Sequence, residues 1–155
     1  MKKAFVILTA VLLITSAAFA QKRETRDVST FTKISFRTGG KLYLKQGSPQ
    51  KVEIEGSAEM LEKIKTKVDG EKLVIGPEDK WMNWSWSNND KVIVYITVSN
   101  IEGLSVSGSG SLIGQTKITA SGGIDLSVSG SGSLTGEFEV SDADCDVSGS
   151  GEIAI

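Results

Sequence analysis

From Phe31 onward, apolar and polar residues alternate in short runs of period two, the spacing at which a strand shows one face to a core and the other to water. Phe31 to Phe36 and Lys41 to Lys45 are two such runs, separated by a Gly39-Gly40 turn. Val52 to Glu55 closes on Gly56, and Leu73 to Ile75 follows a turn signal at Asp69-Gly70. One segment breaks the period. Over Ser57 to Ile64, Met60, Leu61 and Ile64 fall on one helical face and Ser57 stands where a cap belongs, which predicts a helix of one or two turns. Lys91 to Val98 is the longest β-rich run, and it joins this strand-rich part to the C-terminal half.

The C-terminal half repeats itself. Residues 96–114 read ITVSNIEGLSVSGSGSLIG and residues 118–136 read ITASGGIDLSVSGSGSLTG, identical at 13 of 19 positions; a looser third copy fills 138–155. Periods of roughly 20 residues predict stacked coils, in which each unit completes its neighbour's core. Within the copies, Leu104 and Val106, then Ile124, Leu126 and Val128, then Ala143, Cys145 and Val147 are expected to point inward. Ser105, Asp125, Ser127, Asp144 and Asp146 are expected to point outward. Cys145 aligns with Leu126, which makes it a small buried apolar residue, and the acidic neighbours Asp144 and Asp146 are the opposite of what activates a thiol. The glycine pairs Gly108 and Gly110, Gly130 and Gly132, and Gly149 and Gly151 mark structural corners between strands. A phosphate-cradling loop would need a helix after each of them, and strand-like residues come next instead.

Composition narrows the chemistry. The chain has 155 residues, no histidine, one cysteine and a net charge of −2. Without imidazole, Ser-His-Asp and Cys-His nucleophile systems and His-containing zinc sites are excluded, and one cysteine cannot form an internal disulfide. Residues 1–20 read as a cleaved export signal: Lys2 and Lys3, an apolar run from Ala4 to Ile14, and the small-residue exit Ala18-Phe19-Ala20. Loss of that segment takes the net charge from −2 to −4, and with no Lys/Arg-rich block nucleic acid is not an expected partner. The organisation expected is a signal at 1–20, a flexible lead-in at 21–30 and a single domain at 31–155, incomplete at its C-terminus.

In order along the chain, Arg26 to Ile34 (RDVSTFTKI), the Lys45-Gln46-Gly47 turn, the strand Lys91 to Val98 and the serial VSGSG phrases resemble the auto-transporter adhesin head GIN domain family of Bacteroidetes-type bacteria. The resemblance implies an all-β fold, a right-handed β-helix or β-solenoid of the pectin-lyase-like kind, with GSG corners between two sheets. It also implies a role in cell adhesion without catalytic residues. Family members usually continue through further GSG repeats, whereas this sequence stops at Ile155.

Two groups of residues stand out as candidate sites. Trp81, Trp84 and Trp86 lie in a polar loop that runs on to Asn88-Asn89-Asp90, the combination of flat apolar rings and polar rim that grips sugars; the alternative is a plug for the β-core. Asp142, Asp144 and Asp146 alternate along one run and form a weak candidate Ca²⁺ face, set against a solvated acidic strand. The sequence therefore reads as an exported, non-enzymatic adhesion or interaction module in the periplasm, on the outer membrane surface or outside the cell. Its expected partners are a glycan or surface protein, or a second copy at the open end, and no cofactor is called for. A polysaccharide lyase or hydrolase and a purely structural envelope protein are the alternatives.

Overall fold

The computed structural model describes residues 21–78 and 92–155. The predicted alternation becomes β1 (Lys22–Arg26), β2 (Lys33–Phe36), β3 (Lys41–Gln46), β4 (Lys51–Gly56), β5 (Ile64–Asp69), β6 (Lys72–Pro77) and β7 (Ile93–Val98). The repeats supply β8 (Gly103–Gly108), β9 (Ser111–Gly114), β10 (Ile118–Gly130), β11 (Ser133–Thr135), β12 (Phe138–Gly149) and β13 (Glu152–Ala154). The helix, α1 (Ala58–Lys63), forms where Ser57 caps it: the Ser57 hydroxyl accepts from the Met60 N–H, and Met60 and Leu61 are buried. The export signal read at 1–20 lies outside the described residues. Within the segment read as a flexible lead-in, Lys22–Arg26 forms β1, paired along its length with β4.

The strands form two sheets. One has seven strands in the order β1-β4-β7-β3-β9-β11-β13, the other six in the order β12-β10-β8-β2-β6-β5. Apolar residues from the inner faces of both join one buried cluster, with Phe36, Leu42, Leu44, Ile54, Leu73, Val94, Val106 and Leu134 all at 0% exposure. The Gly39-Gly40 turn does not close a hairpin. It carries the chain from β2 in one sheet to β3 in the other, as each SGSG phrase does between β8 and β9 and between β10 and β11.

All-β holds, but the right-handed β-helix or β-solenoid does not. The chain makes two open, mixed sheets. β4 runs antiparallel to both β1 and β7, and β5 runs antiparallel to β6. The physical reason lies in turn chemistry. Gly70, at φ 62°, closes a tight reversal that returns β6 alongside β5 in the same sheet, where a superhelix would have to pass onward into the other. The three copies do pair in parallel and in register with one another: Leu104 beside Leu126, Leu126 beside Cys145, and Ser111 beside Ser133. Copy one rests on β2 and β3, whose sequence carries no SGSG phrase.

The SGSG phrase has two glycines because the corner makes two demands. At Gly130 the backbone takes φ 100°, a region that disfavours a side chain. At Gly132 the demand is closeness: a Cβ there would lie 2.7 Å from the Gly110 carbonyl oxygen and 2.8 Å from a Val106 methyl. Corners also bond to corners, Ser131 N–H to Gly108 C=O at 2.9 Å and Ser133 N–H to Gly110 C=O at 3.0 Å.

Candidate functional site

Where the first two copies differ, they differ together. Six of the nineteen aligned positions are not identical, and five of these fall between Val98 and Gly103 in copy one and between Ala120 and Asp125 in copy two. Equivalent residues of stacked copies touch, so positions that carry the stack must suit one another; four of the five divergent positions precede the first paired residues, Gly103 and Asp125. Pairing of β10 with β12 shifts register between Ala120 and Gly123, and β8 does not begin until Gly103. The backbone leaves a groove there. One recess of about 410 Å³ is lined by Lys33, Asn100, Glu102, residues 120–123 and Asp125; a second of about 400 Å³ shares Ala120 and Ser121 and extends to Glu139 and Ser141.

Polar groups of the groove are held in place by neighbours. Glu102 accepts from Thr32 Oγ1 at 3.0 Å on one carboxylate oxygen and from Asn100 Nδ2 at 3.4 Å on the other. Gln46 clamps the two segments at the point where they diverge: its Nε2 donates to the carbonyls of Ser99 at 3.0 Å and Thr119 at 2.8 Å, and its Oε1 accepts from the Thr119 N–H at 2.8 Å. The stem of Lys33 crosses above Gly103, where a Cβ would meet it at 3.3 Å, and runs in the row that continues to Asp125. At the far rim, Lys117 bridges Glu139 at 3.2 Å and Glu137 at 3.4 Å. The hydrogen-bonded Glu139 carboxylate, with Glu137 beside it, raises the Lys117 ammonium above its ordinary value. Small residues form the floor, Asn, Glu, Asp and Lys form the walls, and the whole is shallow and open to solvent. Such a surface suits hydrogen bonding to a polar chain laid across it.

The residues singled out from sequence fare differently. Trp81, Trp84 and Trp86 lie outside the described residues. Asp142, Asp144 and Asp146 stand exposed along β12, and among the described residues no group of three His, Cys, Asp or Glu could hold a metal ion. Cys145, expected to be buried, is exposed, as are Ala143 and Val147, the last at 45%. Their side of β12 is the correct one, but β12 is the edge strand of its sheet and only the three-residue β13 reaches across from the other. Gly108, Gly130 and Gly149 take φ values of 96°, 100° and 108°. The groove residues escape a reading of the sequence because attention to a repeat goes to what is shared. The signal that marks them is the clustering of what is not.

Comparison with known proteins agrees with this architecture. Residues 30–155 match the family model described as "Putative auto-transporter adhesin, head GIN domain". No curated protein matches the sequence. Among solved structures, a "putative lipid binding protein" from Parabacteroides distasonis is similar at TM-score 0.73 and 21% identity, over 86% of this chain and 56% of that one. A "putative adhesin" from Parabacteroides merdae follows at TM-score 0.70 and 15% identity, over 86% and 55%. A "putative cell adhesion protein" from Clostridium sporogenes has TM-score 0.55 and 14% identity, over 88% and 99%. The present chain thus spans little more than half the length of the first two, and likeness at these identities is likeness of fold.

Proposed function

Because the chain belongs to the auto-transporter adhesin head GIN domain family, we propose that it is an exported, non-catalytic interaction module of the bacterial cell envelope, holding a glycan or a surface protein in the groove between residues 98–103 and 120–125. The observation that carries this reading is the divergence of two otherwise matching copies at the groove alone, apart from one position on the other sheet. Within a scaffold built from stacked identities, the variation brings Asn100, Glu102 and Asp125 to the walls of a recess. Fixing Glu102 through Thr32 and Asn100 before a ligand arrives reduces what binding must spend on ordering side chains. The absence of histidine from the sequence removes Ser-His-Asp and Cys-His hydrolysis from the alternatives. Trp81, Trp84 and Trp86 are proposed as a second set of ligand-binding residues.

Gly122 gives a clean test, because a Cβ there meets nothing within 4 Å. Gly122→Phe fills the groove without straining the fold. Purified protein is applied to surfaces coated with glycans and with envelope proteins, and the variant is expected to lose binding at an unchanged melting temperature. Equal binding by the variant would place the ligand elsewhere. Protection of the native protein from protease added to intact cells would sink surface presentation.

Ala143, Cys145 and Val147 on the exposed side of β12 favour one further contact, a second copy paired along that edge. Light scattering of wild type against Val147→Lys tests it, with a dimer expected only in the former.

A further inference from the structure

The other sheet carries an array of its own. Along β3, Leu42 and Leu44 are fully buried, so Lys41, Tyr43 and Lys45 face outward. Strand register sets Tyr95 beside Tyr43 on one side and Ile113, then Thr135, then Ala154 on the other. The two tyrosine rings stack with centroids 5.6 Å apart and planes 22° from parallel. The Arg23 guanidinium lies 3.8 Å from the centre of the Tyr95 ring and is tied to Glu55 at 3.4 Å. Because β1 and β3 lie on opposite sides of β7, Arg23 and Tyr43 cover opposite faces of Tyr95. Tyr43 then ends the stack, and beyond it the side chains shorten from ring to isoleucine, threonine and alanine. This is a step with an aromatic wall and a floor of smaller side chains that begins at Ile113. Ile113 and Thr135 are also the sixth position at which the first two copies differ.

Charge distinguishes this step from the groove. Arg23 takes Glu55 and Lys51 takes Glu53 at 3.0 Å, whereas Lys41 and Lys45 have no carboxylate partner among the described residues. The two ammonium groups flank Tyr43 on the same face of one strand, with Cα atoms about 13 Å apart. On a chain of net charge −2, this is a local cationic patch around a half-buried aromatic ring.

We propose that the step on the seven-stranded sheet binds an acidic polysaccharide, one sugar ring packed against Tyr43 above Ile113 and successive acidic groups paired with Lys41 and Lys45. A pyranose has an apolar face that suits an aromatic wall with the Ile113 side chain beneath it. Anionic groups spaced along a polymer suit two cations separated along a strand, and such pairing weakens as salt rises. The site is independent of the groove: it uses a different sheet, different residues and the opposite charge.

Polygalacturonate is the probe, with a neutral galactan and vesicles of anionic phospholipid as the other arms, titrated calorimetrically at low and high salt. Polygalacturonate is expected to bind at low salt and the galactan far more weakly. Lys41→Gln with Lys45→Gln, both exposed positions, is expected to weaken polygalacturonate binding about tenfold or more while the melting temperature holds. Tyr43→Ala is expected to weaken it also, and Gly122→Phe to leave it unchanged. Absence of binding, or binding untouched by the double lysine variant, overturns the proposal. Vesicle binding without polysaccharide binding, abolished by the same lysine changes, overturns it in favour of a lipid surface. If Gly122→Phe alone removes polygalacturonate binding, the ligand belongs to the groove; the proposed function then stands and the step does not.

Discussion

Gly132 and Gly122 are both glycines of copy two, and they differ in every respect that matters to stability. At Gly132 a methyl group would run into the Gly110 carbonyl, so Gly132→Ala is expected to destabilise the protein by about 1–3 kcal/mol. At Gly122 the same change meets open space and is expected to stay within about 0.5 kcal/mol. Chemical denaturation of the two variants side by side checks the contrast. Cys145 gives a second residue-level expectation. Being exposed, it should react with a thiol reagent in native buffer at a rate close to that in denaturant; strong protection in the native state would show it covered. Sequence placed Cys145 on the correct face of its strand but could not tell that the face is bare, because burial depends on what the opposite sheet supplies. Tyr43 and Tyr95 were beyond reach for a related reason. They are 52 residues apart in the chain, and only the pairing of β3 with β7 makes them neighbours.

Among the elements, those with strong local signals were legible: the short capped helix, the strands of period two, the corners. Pairing direction was not. Whether a glycine turn reverses the chain within a sheet or passes it to the other sheet is decided by backbone dihedrals at one or two residues: Gly40 and Gly70 both read as turns between strands, yet take φ 109° and 62°. The link between β10 and β12 shows how exposed charges contribute to an element. Lys117 precedes β10, and Glu137 and Glu139 flank Phe138 at the start of β12, so the bridges tie copy two to copy three. A lysine whose ammonium is favoured in the folded state stabilises that state fully below its unfolded-state value, near 10.4. The contribution is lost as pH rises through the higher folded-state value. The melting temperature of wild type should therefore exceed that of Lys117→Met at pH 7 to 9, with the gap closing only in strong alkali. Exposure of the three groups to solvent keeps that gap small.

In the molecule as a whole, Phe36 stands where two kinds of construction meet. It is fully buried, its strand β2 lies between β8 and β6, and its ring comes within 2.5 Å of where a Cβ of Gly110 would be. It therefore joins the part of the fold made from dissimilar strands to the part made from copies. Phe36→Ala is expected to cost about 3–5 kcal/mol, read from denaturant unfolding, and to lower the transition of both parts together. Two separate transitions would show that the copies fold on their own.

Since each copy stacks on its own equivalents, leucine on leucine and serine on serine, the surface one copy offers is already the surface the next requires. The SGSG phrases of the first two copies lie 22 residues apart. An in-frame duplication of that segment by unequal recombination would thus lengthen both sheets by one strand each, with no new interface to be invented. Copy number is then a quantity that a lineage can change in one genetic event, while the exposed groove positions, such as Asn100 and its counterpart Gly122, can drift one codon at a time.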